Sequence, residues 1–206
     1  MMDKIDLKLL YSLLIESFKH AYDLKDKIIE NDCLSSKFIF EFSNRIKEKF
    51  FKEDTLNIQN VDDNGKRSPG EWLYDTCIVR RKEIYSLYKT EKRFFVNVEI
   101  LLALESEFGT SIGEFAQDFG KIICAKSLKK IYINGLNQKY ERKRYIEERV
   151  NLINKKFKED INNLILVFFP STKGNLWRKN GFDELKSWIE IYYKESTDKE
   201  LTKFNI

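Results

Sequence analysis

The sequence predicts an α/β fold: one domain with a mixed central β-sheet flanked by helices. Three observations carry that expectation. At 206 residues the chain is long enough for one well-buried domain and short for two. Its apolar spacing alternates between the 3.6-residue period of helices and short β-branched or aromatic runs typical of strands. Only two prolines occur, Pro69 and Pro170, which favours long uninterrupted elements.

The elements follow in order. From Lys4 to Glu30, residues such as Ile5, Leu9, Leu13, Phe18, Ala21 and Ile28 trace one stripe of a long amphipathic helix. A second helix over Lys37–Phe50, capped by Ser35 or Ser36, places Phe38, Phe42, Ile46 and Phe50 on one side. These two make an N-terminal helical segment, 1–51. Residues 51–70 lose periodicity and end in VDDNGKRSPG, a turn-rich loop. Glu71–Arg80 and Arg93–Phe108 read as strands, and the intervening RKEIYSLYKTEK either extends both into a hairpin or forms an insertion. Ser111 caps a helix running to about Lys126. A short strand (Lys129–Asn134), a charged helix (Gln138–Phe157) and a buried strand (Leu164–Phe169, stopped by Pro170) complete an α/β core over 71–170. A C-terminal helix is expected over 181–195, with the last dozen residues frayed.

Composition narrows the chemistry. A single histidine, His20, leaves no imidazole cluster, and Cys33, Cys77 and Cys124 are too scattered for a zinc knuckle or a disulfide framework. Carboxylates, lysines and a metal remain by subtraction. Acids at Asp3 and Asp6 and the lack of a small-residue cleavage site argue against a signal peptide, and no run of 18 apolar residues appears. A cytoplasmic protein that does not engage membranes is the expectation.

The candidate site lies where the second strand ends, in Leu-Ala-Leu-Glu105-Ser-Glu107. Strand alternation puts Glu105 and Glu107 on one face, and the apolar run ahead of them places the pair at the end of a buried strand. Buried carboxylates are costly unless paired or metal-bound. Asp75, in the preceding strand among apolar and aromatic neighbours, supplies a third acid. Oxygen-rich sites of this kind suit Mg²⁺. Elsewhere the acid-x-Lys pattern of Asp6, Asp23, Glu141 and Glu184 lies in amphipathic helices and reads as solvated surface.

A strand acid, an apolar strand ending Glu-Ser-Glu, a turn and an amphipathic helix together resemble the PD-(D/E)XK nuclease superfamily with its restriction-endonuclease-like fold. The match is similar to the E-x-E variant of BamHI-type restriction enzymes and covers roughly Glu71–Ile133. The resemblance implies that Asp75 and Glu105 are metal ligands for Mg²⁺, with Mn²⁺ able to substitute. It puts Glu107 where the superfamily's lysine usually stands, positioning or deprotonating the attacking water. Lys121, in Asp118-Phe-Gly-Lys121 on the next helix, either replaces that lysine near the phosphate or forms an ordinary i,i+3 surface pair with Asp118. Glu41 corresponds to the helix-borne acid many members add, and also reads as a surface residue of an aromatic-rich helix. Two features depart from the pattern: Tyr74 stands where a proline is usual, and Asp75 is far from Glu105. Glu71 and Glu99, each an even number of residues from the acid it would join or replace, stay open as competitors.

Charge distribution adds a partner. Between Lys121 and Arg149 nine basic residues face three acidic ones, so the overall charge of +4 conceals a basic half. Arg142, Lys143 and Arg144 with Tyr140 and Tyr145 form its densest cluster, and Arg80, Arg81 and Lys82 follow Asp75. These six cations are the candidate nucleic-acid contacts, with a solvated helix face as the plain alternative. The expectation is a Mg²⁺-dependent endonuclease of DNA, acting as a homodimer with one site per strand. The alternatives are a nuclease of RNA or branched DNA, and a non-catalytic nucleic-acid- or protein-binding module on the same fold.

Overall fold

Leu164–Pro170 is buried on both faces, which is why LILVFF is continuously apolar. It belongs to a seven-stranded sheet in the computed structural model, which describes residues 5–28, 30–51, 55–59, 74–85, 93–109, 111–137 and 141–205. In sequence order, which is also spatial order, the strands are β1 (Thr55–Gln59), β2 (Thr76–Tyr85), β3 (Arg93–Glu107), β4 (Ser127–Leu136), β5 (Leu164–Pro170), β6 (Glu190–Lys194) and β7 (Thr202–Phe204). The central strands β3, β4 and β5 are parallel and the remaining pairs antiparallel. The α/β class with a mixed, helix-flanked sheet is therefore the observed one.

Parallel neighbours need crossovers, and these are helices α3 (Ile112–Cys124) and α4 (Arg142–Lys156), joining β3 to β4 and β4 to β5. Both cover one face, where Phe115, Phe119, Ile146 and Ile153 pack on Ala103, Tyr132, Leu166 and Phe168. Helices α1 (Leu7–Asp23) and α2 (Asn31–Phe50) cover the other with Phe18, Phe38 and Phe42 against Leu102, Leu104, Ile133 and Phe169. Alternate residues of β4 and β5 feed the two cores in turn, as the period of two requires. No helix among the described residues is long and apolar enough to cross a membrane.

Several expectations shift. The first helix starts at Leu7, where Asp6 accepts from the Lys8 and Leu9 amides, and stops at Asp23. The second helix begins at Asn31, so Ser35 and Ser36 lie inside it rather than capping it. A strand, β1, occupies part of the segment read as loop. It is an edge strand whose polar Asn57 and Gln59 bond Asn44 and Ser43 of α2, so apolar periodicity never marked it. The C-terminal helix expected over 181–195 is a correction. Beyond α5 (Leu176–Lys179) only α6 (Phe182–Lys186) is helical there, and residues 190–194 form β6, because Ile191 pairs with Val167 and completes the sheet's apolar face. Part of the expected frayed tail is β7, paired with β6. The residues between the first two predicted strands extend both: Arg81–Tyr85 pairs with Arg93–Asn97.

Irregularities in that hairpin settle one competitor. The β2–β3 register skips Leu101 between Ile78 and Val79, and skips Val98 between Arg80 and Arg81. Each extra residue is a β-bulge that reverses the alternation beyond it. Leu101 packs with Leu102 and Leu104, whereas Ile100 packs with Ala103 on the opposite side. Glu99 therefore faces away from Glu105, contrary to simple counting by twos, and instead binds Arg80 with Nη1 to Oε2 at 2.6 Å.

Candidate active site

Asp75 and Glu105 are joined through hydrogen bonds that each carboxylate accepts from the chain beside the other. Asp75 sits in the bend just before β2 rather than within a strand, opposite the end of β3 because Thr76 pairs with Leu104. Its amide donates to Glu105 Oε2 at 3.0 Å, while the amide and hydroxyl of Ser106 donate to Asp75 Oδ2 at 2.8 and 2.6 Å. Each carboxylate is thus held by a main-chain N–H beside the other. The long sequence separation between them is spanned by the hairpin.

Glu105 is buried, at 3% exposure, on the α3 side of the sheet. Lys121 reaches it from α3, with Nζ 2.7 Å from Glu105 Oε1 and 2.6 Å from Asp118 Oδ1. The i,i+3 pair with Asp118 is therefore formed, and the same ammonium also reaches Glu105 of the motif. α3 is set in place by a capping box: Ser111 accepts from the Glu114 amide and Glu114 accepts from the Ser111 amide.

Glu107 lies two residues further on the same face. Its carboxylate accepts from the Gly109 amide, and Lys173 Nζ stands 3.7 Å from Oε1. A Cβ at Gly109 would crowd both acids, lying 2.5 Å from Glu114 Oε2 and 2.6 Å from Glu107 Oε1. The backbone at Glu107 is braced by Asn134, whose Nδ2 donates to Glu107 O at 3.2 Å and whose Oδ1 accepts from Tyr145 of α4 at 3.1 Å.

Electrostatics follow from this burial. Desolvation and the neighbouring Asp75 charge push the Glu105 carboxyl up to about 7, although Lys121 and the Asp75 amide oppose the shift. Burial also raises Asp75 against its two Ser106 donors. Burial and a hydrogen bond with the Asp118 carboxyl raise Glu107. Lys121 is held above the ordinary lysine range, its partial desolvation outweighed by its bonds to Asp118 and Glu105. Four carboxyl groups, those of Asp75, Glu105, Glu107 and Asp118, gather here against the two ammonium groups of Lys121 and Lys173.

That imbalance suits a hard cation. Asp75 and Glu105 are the residues that could hold one, since Mg²⁺ commonly takes one or two carboxylates, with water and substrate phosphates completing its shell. No larger protein cage exists among the described residues: no three His, Cys, Asp or Glu side chains form a metal-holding group. Asp75 also lines a cavity of about 50 Å³ with Ser106 and with Ser35, Ser36 and Ile39 of α2.

The other candidates fall elsewhere. Glu41 binds His20 (3.3 Å) and Lys37 (3.1 Å) where α2 meets α1. Glu71 lies outside the described residues. Arg80, Arg81 and Lys82 run away from the acids along β2, roughly 17 to 23 Å from Asp75 at strand rise. Arg142, Lys143 and Arg144 open α4, just beyond the end of β4. Arg142 donates weakly to Ser187 O at 3.5 Å, while Lys143 and Arg144 pair with Glu147 and Glu148 one turn on, at 3.9 and 2.9 Å. Such exposed pairs are weak and leave the cations able to take phosphates. The sequence reading missed Ser106, Asn134 and Lys173, and named Tyr145 only for the basic cluster, not for its bond to Asn134. For Ser106 the signal was its place between the two glutamates, whereas the others depend on parallel register.

No family model matches the chain, and neither does any curated protein or solved structure.

Proposed function

We propose that the chain is a Mg²⁺-dependent endonuclease that hydrolyses DNA phosphodiesters on a PD-(D/E)XK, restriction-endonuclease-like core. The observation that carries this reading is the interlocked pair Asp75 and Glu105, the latter buried near the end of a central strand with the Lys121 ammonium 2.7 Å away. Buried acids that repel one another weaken the fold, and a catalytic metal gives them a use. Asp75 and Glu105 would hold Mg²⁺, which when bound would polarise the scissile phosphate and acidify a water molecule. Glu107, whose raised pKa lies nearer neutrality than an ordinary carboxylate's, orients that water and accepts its proton. Lys121, held charged between Asp118 and Glu105, would add positive charge beside the negative charge that builds on the phosphate. Arg142, Lys143 and Arg144 track the DNA backbone, and cutting both strands calls for a homodimer with one site per strand.

Incubation of supercoiled plasmid with the protein and Mg²⁺, or Mn²⁺ in its place, tests the reading. Cleavage by the parent that disappears with EDTA and in Glu105→Ala is the expected result. Cleavage unchanged in Glu105→Ala, or none by the parent with either metal, refutes it. The exposed cations that open α4, Lys143 and Arg144, serve equally a second reading, a non-catalytic nucleic-acid- or protein-binding module. That reading predicts an inert parent that still binds its partner.

A further inference from the structure

Three parallel strands end at one edge of the sheet, and the turn after the third brings a lysine to the acids. β5 runs parallel to β4, and β4 to β3, so the segment after Pro170 opens beside the segment after Glu107. The turn is firmly seated. Ser171 Oγ donates to Phe108 O at 2.9 Å, its amide donates to Leu136 O at 2.9 Å, and Trp177 Nε1 donates to Pro170 O at 2.9 Å. Thr172 and Trp177 are each 1% exposed. Lys173 caps this anchor with its amide on Ser171 Oγ at 3.1 Å, and the chain then reverses through two left-handed residues, Gly174 and Asn175.

The base of Lys173 is fixed while its side chain remains 45% exposed. Its ammonium stands 3.7 Å from Glu107 Oε1, too far for a hydrogen bond, so this pair is a loose Coulombic one in water. Lys121, by contrast, is engaged at hydrogen-bond distance by two carboxylates. A polyanion approaching four carboxylates needs a cation that is not already bonded, and Lys173 is placed to provide it.

We propose that Lys173 is a second phosphate-contacting residue of this site, taking the nucleic-acid backbone phosphate next to the one served by Asp75 and Glu105. The proposal rests on the nucleic-acid reading above and goes beyond the residues assigned there. Because its pairing is loose and exposed, removing the lysine leaves the fold intact.

The test measures binding of a fluorescein-labelled 20-base-pair duplex by anisotropy in EDTA across a NaCl series, for the parent, Lys173→Ala and Lys173→Arg. Plasmid cleavage with Mg²⁺ is assayed in parallel. Losing one phosphate contact lowers the slope of log K against log[salt] by about 0.9. The expected result is that reduction in Lys173→Ala, a parent-like slope in Lys173→Arg, and unchanged melting temperatures. An unaltered slope in Lys173→Ala overturns the proposal, as does a parent that does not bind the duplex. A parent that binds without cutting, with the slope lowered in Lys173→Ala, refutes the nuclease and leaves the Lys173 contact standing.

Discussion

Replacing Glu105 with glutamine separates what the carboxylate does for the fold from what it does for chemistry. The Glu105 carboxyl is raised from 4.5 to about 7 in the folded protein, mainly by burial and then by Asp75. Between those values the folded state holds more protons than the unfolded state, so stability falls as pH rises through the window. Below pH 4.5 the neutral form carries no such cost, and above pH 7 the full cost applies. At 1.36 kcal/mol per pKa unit the penalty is about 3 kcal/mol. Glutamine mimics the neutral form at every pH but keeps only one side-chain acceptor for the two donors that Glu105 now satisfies. Lys121, 35% exposed and still bonded to Asp118, turns to water, and the amide oxygen keeps the Asp75 N–H. Urea unfolding of parent and Glu105→Gln at pH 5 and pH 8.5 reads the difference. The variant's stability relative to the parent should rise by about 2.5 kcal/mol from the lower pH to the higher, since part of the cost is already present at pH 5, while cleavage is lost at both. An equal destabilisation at both pH values would mean that Glu105 is ordinary structural cement for Lys121, and the reasoning would fail.

Three further outcomes follow from the same geometry. Mg²⁺ favours ionised carboxylates, so it should raise the melting temperature more at pH 8 than at pH 5.5, and not at all when Asp75→Asn is combined with Glu105→Gln; an equal rise in that double variant would place the ion elsewhere. Gly109→Ala should leave the melting temperature nearly unchanged, because the added methyl meets only the movable ends of Glu107 and Glu114, yet reduce cleavage by as much as about 100-fold by displacing Glu107. Full activity in that variant would remove Glu107 from the reaction. Gly135→Ala is the opposite case: its Cβ would lie 2.7 Å from the Cα of Phe108, which is backbone and cannot swing aside. Denaturant unfolding should register a loss of about 1–3 kcal/mol.

What could be read from the sequence was whatever apolar burial writes into it. β5 and the inner half of β3 are apolar because helices cover both their faces, and Glu105 and Glu107 stood out because they terminate such a run. β1, β6 and β7 were illegible for the converse reason: they lie toward the sheet's margins, and their half-exposed residues are shared with helices and loops. Glu99 misled because a one-residue bulge is invisible to alternation. Lys173 and Asn134 carried no local mark at all, since only the parallel register of β3, β4 and β5 brings them to Glu107. Lys121 stood between these cases, one helical turn from Asp118 and therefore legible as a pair, with its second partner hidden in the crossover.

The bulge at Leu101 also divides the hairpin into two mechanically separate lengths. Residues 102–107 are locked to β4 and to the two cores, whereas β3 from residue 93 to 99 pairs with β2 alone. A change of length or register in the outer stretch is absorbed at the extra residue before it reaches the acids. The distal arm, with Arg81 and Lys82 on one strand and the exposed Val96 and Val98 on the other, is thus free to diversify in what it touches while the acids at its root keep their places.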